Sequence, residues 1–448
     1  MGRRAADIDT GAEASTLDVA VIGAGPAGLL LARRLAASGA NFRLFERHSD
    51  VGGIWDIDAP GSPMYESAHF ISSRTLSGFP DFPMPSDYPD YPNHRQLLAY
   101  IRSFADEFDL RRHITFDTAV DHARWTPEGD WLIELGDGSQ RRARYLICAN
   151  GVTWVPNIVT WPGDFDGEVR HSVTYRSPEE FRGKRVLVVG AGNSGVDIAC
   201  DAAFAADQAF LSVRRGYHFI PKHIMGKPAD VFATEGPHLP FKVAQRVFGG
   251  LLRLINGDLR RYGLPKPDHR VFESHPIMNT QILHYLGHGD AIAKGDVDRL
   301  DGDEVVFADG TREKVDLVIT ATGYQHASPF LDDGVIETRG GRPDLYLGLF
   351  PRNQPNLAVL GFIEFASAAY ANFDSMAELI VADATGDDAV VTALADRKQH
   401  HRPDLTAGHA YVDSERMANY VDVDTYLPVL AEVKDEIGLD RARERVGR

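Results

Sequence analysis

A chain of 448 residues, 44% hydrophobic and 25% charged, is long enough for two or three domains with sizeable cores. Its formal net charge of −17 argues against general binding to nucleic acid or to an anionic membrane, both of which need basic surfaces. The two cysteines, Cys148 and Cys200, form no C-x-x-C. They give neither a disulfide framework nor a redox dithiol, and point to a reducing, cytoplasmic setting.

In chain order, residues 1–16 are small and polar and read as a disordered leader. Arg3-Arg4 precedes no apolar segment, so no secretory pattern is present. Val19–Ile22 reads as a buried parallel strand, and Gly23, Gly25 and Gly28 follow at G-x-G-x-x-G spacing before a helix over Gly28–Ala37. Gly23 allows the tight turn, Gly25 the approach of a pyrophosphate, and Gly28 close helix–strand packing. The helix N-terminus adds N–H groups and partial positive charge. The next apolar run, Phe42–Phe45, ends in Glu46, about 20 residues beyond the loop, where a carboxylate accepts from a ribose hydroxyl. This is a dinucleotide site, and which dinucleotide stays open at this point.

Val51-Gly-Gly-Ile-Trp55 is a loop able to lie close to something flat. Phe79–Pro92 is too proline-rich for a helix or central strand and reads as an extended segment pinned by aromatics. Asn93 caps a helix over His94–Phe108. Ile114–Val120 reads as a strand, and Ala123–Trp125, Trp131–Leu135 and Arg141–Cys148 as a three-stranded meander. Tyr145–Gly151 is then a buried strand ending in a glycine loop.

The chain now repeats its opening. Arg185–Val189 is a strand, Gly190, Gly192 and Gly195 a second glycine loop, and a helix follows. The next strand, Ala209–Val213, runs into Arg214-Arg215 instead of an acid. Arginines there pair with a 2′-phosphate, so the first site favours a free ribose and the second NADPH. Residues 217–275 are rich in aromatic, basic and proline residues and read as an irregular insertion over the active site or its entrance. His284 and His288 have metal-ligand spacing but no acid or third ligand, so no metal is expected. Val305–Gly310 and Val315–Thr320 are closing strands, and Ala321-Thr322-Gly323-Tyr324 a return crossing between domains. Leu357–Phe362 is another buried strand, with Glu364 in the loop after it. A helix over Ala371–Ala384 points back at the first site, and the tail from Asp388 is helical and charged. Leu357–Phe373 is too short to span a bilayer, so no membrane contact is expected.

These elements predict an α/β fold with two dinucleotide-binding, Rossmann-like, three-layer domains. The first comprises 17–164 and 330–448; the second, 165–329, is inserted in it.

The linker between the repeats carries Phe165, Gly167, His171, Tyr175 and Arg176. Their spacing resembles the F-x-G-x-x-x-H-x-x-x-[YF]-[KR] fingerprint of the flavin-containing monooxygenases, class B flavoprotein monooxygenases. Gly23–Gly28, Glu46, Gly52–Trp55, Phe79–Pro83, Gly190–Gly195 and Ala321–Tyr324 agree with that family in order. The resemblance implies FAD in the first site and NADPH in the second. It implies hydride transfer to the flavin, a C4a-hydroperoxyflavin formed with O₂, and oxygenation of an amine nitrogen or sulfide sulfur of a small molecule. Carried over by motif, Gly23, Ala24, Gly25, Pro26, Ala27, Gly28, Glu46, Gly53, Ile54, Trp55, Ile71 and Val120 belong to the cofactor sites. So do Gly190, Gly192, Asn193, Ser194, Gly195, Val196, Asp197, Arg214, Arg215, Thr322 and Gly323. His171 and Tyr175 are assigned to the domain interface. Many family members place an asparagine beside flavin and nicotinamide where this chain has Ile71. Ser72 is therefore the expected catalytic residue, the alternatives being Ser73 or reliance on NADP⁺ and backbone groups alone. A homodimer is common in the family. The alternatives are Baeyer–Villiger oxygenation of a ketone, whose enzymes usually end the fingerprint in tryptophan, and a flavin-binding protein or NADPH oxidase without productive oxygenation. A disulfide oxidoreductase would need the dithiol that is lacking.

Overall fold

Two sheets organise the chain, each grown around one apolar run that ends in a glycine loop. The structure is a computed structural model describing residues 16–439 other than 238, 340, 341 and 415. The expected leader, Thr16 apart, and the last residues of the tail lie outside the described residues.

β1 (Leu17–Ile22) is central to the first sheet, with Val19, Ala20 and Val21 fully buried. Then come α1 (Pro26–Ser38) and β2 (Phe42–Phe45). α2 (His94–Glu107) starts at Asn93, whose side chain accepts from the Gln96 N–H while the Gln96 side chain accepts from the Asn93 N–H. β3 (Ile114–Thr115), β4 (Val120–Trp125), β5 (Trp131–Leu135) and β6 (Gln140–Cys148) follow. The order is β3-β2-β1-β6-β5-β4, parallel as far as β6 and antiparallel beyond. The single strand expected over Ile114–Val120 is divided. Asp117 adopts φ +52° and turns the chain, so Val120 opens a meander strand.

The linker runs through β7 (Val155–Pro156) and β8 (Glu168–His171) to β9 (Arg185–Val189), α3 (Asn193–Ala205) and β10 (Gln208–Ser212). The stretch read as irregular, 217–275, holds a hairpin of β11 (His223–Ile224) with β12 (Lys227–Pro228), then α4 (Ala229–Glu235) and α5 (Phe241–Asn256). The sequence hides α5 because Gly249-Gly250 interrupts it and only Gln245 and Leu252 are buried. α6 (Gln281–His288) and β13 (Ala291–Lys294) lead to an antiparallel trio, β14 (Val297–Asp301), β15 (Glu304–Phe307) and β16 (Arg312–Lys314). β17 (Leu317–Thr320) completes a second, wholly parallel sheet of order β13-β10-β9-β17-β8. β18 (Tyr324–Gln325) then pairs with β7.

Two short hairpins, β19 (Thr338–Arg339) with β20 (Arg342–Pro343) and β21 (Leu345–Tyr346) with β22 (Phe350–Pro351), precede β23 (Leu357–Val359). β23 joins the first sheet on β6. One edge of β6 carries β1; its other edge is shared, antiparallel with β5 and then parallel with β23. The second sheet is thus nested between two neighbouring strands of the first. α7 (Ala369–Thr385) packs on α1, where the Arg34 guanidinium forks onto Asp374 at 2.8 and 2.5 Å. α8 (Asp388–His400) and α9 (Val423–Glu436) pack on α7. Among the described residues no helix is long and apolar enough to cross a membrane.

Candidate active site

The two glycine loops share a geometry. φ is +103° at Gly23 and +106° at Gly190. A Cβ on Gly23 would lie 2.6 Å from the Ala149 carbonyl oxygen, and one on Gly190 2.6 Å from that of Ala321. A Cβ on Gly28 would lie 2.1 Å from the Gly23 oxygen, and one on Gly195 2.0 Å from the Gly190 oxygen. The obstructing atoms are backbone, so these positions require glycine. Each helix begins with free donors: the Leu29 N–H reaches the Gly25 oxygen at 3.0 Å and the Val196 N–H the Gly192 oxygen at 2.9 Å. The N–H groups of Ala27, Gly28, Ser194 and Gly195 precede those first helical bonds, the position from which a helix N-terminus can donate to an anion.

The middle glycines differ. A Cβ on Gly25 would meet the Gly53 Cα at 3.4 Å, whereas one on Gly192 would meet nothing within 4 Å. Gly52 and Gly53, at φ +137° and +58°, bring a second stretch of backbone against the first loop. The second loop is open on that side.

Glu46 is buried beyond β2. Its Oε2 accepts from the Ala24 N–H at 2.7 Å, and its Oε1 accepts from the His48 N–H at 3.0 Å and lies 3.1 Å from His48 Nδ1. Burial pulls its pKa up, but the His48 ring and the two N–H donors outweigh burial and hold it below 4.5. His48 Nε2 is 3.0 Å from the Pro60 oxygen, and the Arg47 guanidinium lies 4.0 Å over the Trp154 ring. Arg47, His48 and Trp154 surround Glu46 and escape the sequence reading; Arg47 and His48 carry only the signal of following the acid by one and two residues, and Trp154 carries none. The Thr118 N–H bonds the Glu46 oxygen at 2.8 Å, which brings the start of β4 and Val120 beside this corner.

Beyond β10, Arg214 is exposed and forms no ion pair among the described residues. Arg215 Nε is shielded and without an acceptor, its guanidinium 5.5 Å from the Tyr217 ring. Two unneutralised guanidiniums stand where the first sheet places a carboxylate. Asn193 is committed to backbone: its Nδ2 donates to the Pro276 oxygen at 3.1 Å and its Oδ1 accepts from the Met278 N–H at 2.8 Å. Ser194 is exposed, and Val196 packs α3 onto the sheet at 0% exposure. Asp197 accepts from Tyr65 Oη at 3.1 Å and Asn279 Nδ2 at 2.6 Å. Burial raises its pKa, against the pull of its Asn279 bond.

The linker fingerprint has a mechanical explanation. A Cβ on Gly167 would strike the Phe165 ring at 2.6 Å. His171 Nε2 lies 3.1 Å from the Gly323 oxygen, which also accepts from the Asn157 N–H, while Thr322 Oγ1 donates to the Asn157 oxygen at 2.6 Å. Tyr175 is fully buried, stacks on Phe181, and donates to Asp201 at 2.8 Å. Ser67 Oγ donates to the same Asp201 oxygen at 2.5 Å. The Arg176 guanidinium donates to the carbonyls of Met64, Val173 and Tyr175. Tyr65, Ser67, Asp197 and Asp201 thus join α3 to the first unit, a contact spanning too many residues to leave a local sequence pattern.

Trp55 Nε1 donates to Tyr370 Oη at 3.1 Å, which sets the Gly52–Trp55 loop against the first turn of α7. The Ile54 carbonyl accepts from Ser62 Oγ at 2.8 Å. Ile71 and Ser72 are partly exposed. Ser77 Oγ donates to Ser72 Oγ at 2.8 Å, which leaves the Ser72 hydrogen free to donate. The Ser73 N–H donates to Asp230 on α4 at 2.6 Å, and its hydroxyl is buried without a partner. Tyr91 Oη donates to the Lys222 oxygen and accepts from the Ala229 N–H at 3.2 Å. The 217–275 insertion therefore rests on the Ile71–Pro92 stretch. The rings of His284 and His288 lie 4.0 Å apart on α6, tilted by 54°, away from these residues in the chain.

Residues 16–395 match the family model described as flavin-binding monooxygenase-like. Flavin-containing monooxygenase 5 of Mus musculus is 35% identical over 378 residues, covering 77% of this chain and 69% of the relative. The N-oxide-forming dimethylaniline monooxygenase 2 of Rattus norvegicus is 34% identical over 371 residues, with the same coverage of 77% and 69%. The solved structure of a Rhodococcus cyclohexanone monooxygenase bound to NADP⁺ superposes with TM-score 0.72 at 19% identity, covering 94% of this chain and 98% of that one.

Proposed function

The chain belongs to the flavin-binding monooxygenase-like family, and from that premise we propose how its residues divide the work. It is an FAD- and NADPH-dependent monooxygenase acting with O₂ on a small molecule. Reduced by NADPH, FAD activates O₂ and supplies one oxygen atom to a soft nucleophile, amine nitrogen or sulfide sulfur, the other leaving as water. The relative named for N-oxide formation supports nitrogen as one acceptor.

The observation that carries the site assignment is the asymmetry of the two loops. Residues 17–164 and the described residues from 330 to 439 form the FAD domain: its loop lies in a slot between two backbones, and ionised Glu46 accepts from ribose. Residues 165–329 form the NADPH domain, whose open loop takes the pyrophosphate while Arg214 and Arg215 pair with the 2′-phosphate. Both sets of residues fit their groups. Trp55, Tyr370 and the first turn of α7 hold the flavin end, where the positive end of the helix favours reduced flavin. Ser72 donates its free hydrogen towards the reacting end, in the place where an asparagine amide would act. Buried free thiols at Cys148 and Cys200 support a reducing, cytoplasmic location.

The test is anaerobic mixing with NADPH, then O₂ with a thioether and a ketone supplied together. We expect the yellow protein to bleach and the thioether to become its S-oxide. Ester formation without S-oxide would favour the Baeyer–Villiger alternative, and a protein that NADPH does not bleach would overturn the enzyme reading.

A further inference from the structure

One polar cluster that the mechanism does not use lies between the end of the 217–275 insertion and the loop before α7. His275 directly precedes Pro276, which Asn193 of the second glycine loop fastens. Facing it is the loop between β23 and α7. The Glu364 N–H there bonds the Asn419 oxygen at 3.1 Å, and the Val421 N–H bonds the Glu364 oxygen at 2.9 Å, bracketing Tyr420. The rings of His275 and Tyr420 are 6.1 Å apart, and the Val412 N–H closes the corner on the Glu273 oxygen at 2.8 Å. The turn presenting His275 is strained, with Phe272 at φ +72°, a conformation retained where the surroundings demand it.

Both ring nitrogens of His275 and the Tyr420 hydroxyl are shielded from solvent and have no hydrogen-bond partner among the described residues. Three orphaned polar atoms at one corner call for a ligand or a trapped water. Charge decides which ligand chemistry fits. The Glu364 carboxylate is paired with Arg416 Nε at 2.7 Å, while His326 Nε2 lies 3.5 Å from it without a hydrogen bond. Burial first, then Arg416, push the His275 pKa down to about 3, so the ring is neutral with one N–H to donate. Arg416 and Glu364 neutralise each other beside the ring, so the corner offers an ammonium group no unpaired anion. The imidazole N–H and the phenolic O–H remain as two unpartnered donors.

We propose that His275 and Tyr420 form a substrate subsite for an uncharged oxygen acceptor, a carbonyl-type group carried by the amine or thioether that is oxygenated. This deepens the function proposed above and rests on it.

The probes are an isosteric pair, 3-(methylthio)propanamide and methyl isopentyl sulfide. Wild type should favour the amide, and Tyr420→Phe should lower the amide-to-hydrocarbon ratio of kcat/KM about tenfold, mostly through KM, as expected for one lost hydrogen bond. His275→Leu should lower the same ratio, and NADP⁺ affinity should hold in both variants. Calorimetric binding of the amide to the oxidised enzyme without NADPH should weaken in parallel. An unchanged ratio would assign the orphaned atoms to a trapped water and overturn the subsite. Weakened NADP⁺ binding with an unchanged ratio would hand the pair to the nicotinamide amide instead. A wild type that NADPH does not bleach, and that therefore oxygenates neither sulfide, would sink the proposed function, a result distinct from either of those.

Discussion

The two glycine loops have nearly the same backbone and opposite surroundings. At both, the first glycine takes φ above +100° and the last admits no Cβ. At the first, Gly53 closes the slot in front of Gly25 and Glu46 is buried and anionic. At the second, Gly192 faces open space and Arg214 is exposed. On the assignment proposed above, the shared part serves a pyrophosphate at each loop, and the unshared part separates a group that stays from a coenzyme that comes and goes. A closed slot slows dissociation, and an open one permits exchange.

The sharpest break of this comparison is a pair of glycine substitutions. Gly28→Ala drives a Cβ into backbone at 2.1 Å and is expected to cost more than about 3 kcal/mol, with loss of bound flavin, read by thermal unfolding and flavin absorbance. Gly192→Ala has φ −70° and nothing within 4 Å. It should keep wild-type stability within about 1 kcal/mol, retain FAD, and show its effect in the KM for NADPH. Flavin loss in Gly192→Ala would erase the distinction between the slots. Next in size, Glu46→Gln should weaken FAD by about 2 kcal/mol, some thirtyfold in dissociation constant, measured by reconstituting apoprotein. Its pH dependence has a definite sign. The folded pKa of Glu46 is lowered, so its stabilisation is present above 4.5 and is lost as pH falls through the folded value. The stability gap between wild type and Glu46→Gln should therefore close in acid. Arg214→Ala should reduce the NADPH-to-NADH preference about tenfold or more, and an unchanged preference would remove its phosphate role. Smallest, Ser72→Ala should raise H₂O₂ release about fivefold per NADPH consumed while anaerobic flavin reduction proceeds as before. Unchanged coupling would release Ser72 from its assignment.

What the sequence disclosed follows the same division. Strands β1 and β9, both loops and the fingerprint were legible because burial and forced glycines leave a strong local imprint. The turn at Asp117 and the helix α5 were not. The first needs a left-handed aspartate, which composition does not announce. The second is mostly exposed and interrupted by Gly249-Gly250, so no buried stripe marks it. At the site, Glu46 and Arg214 could be named from their places at strand ends. Arg47, His48 and Trp154 could not, and neither could Asp201, which meets Ser67 and Tyr175 across long stretches of chain. Val196 shows the limit of carrying residues over by motif: the position matches, but its side chain faces the core.

The pairing of β7 with β18 brings the outgoing and returning chain side by side, Val155 opposite Gln325 and Pro156 opposite Tyr324. The second unit is therefore attached like a cassette on a two-stranded stalk, its two ends adjacent. A short loop could bridge those ends and leave the strands of the first sheet in register. Exchanging that unit between related chains would preserve the covalent attachment and leave only its side-chain seam, Tyr65 on Asp197 and Ser67 on Asp201, to be matched.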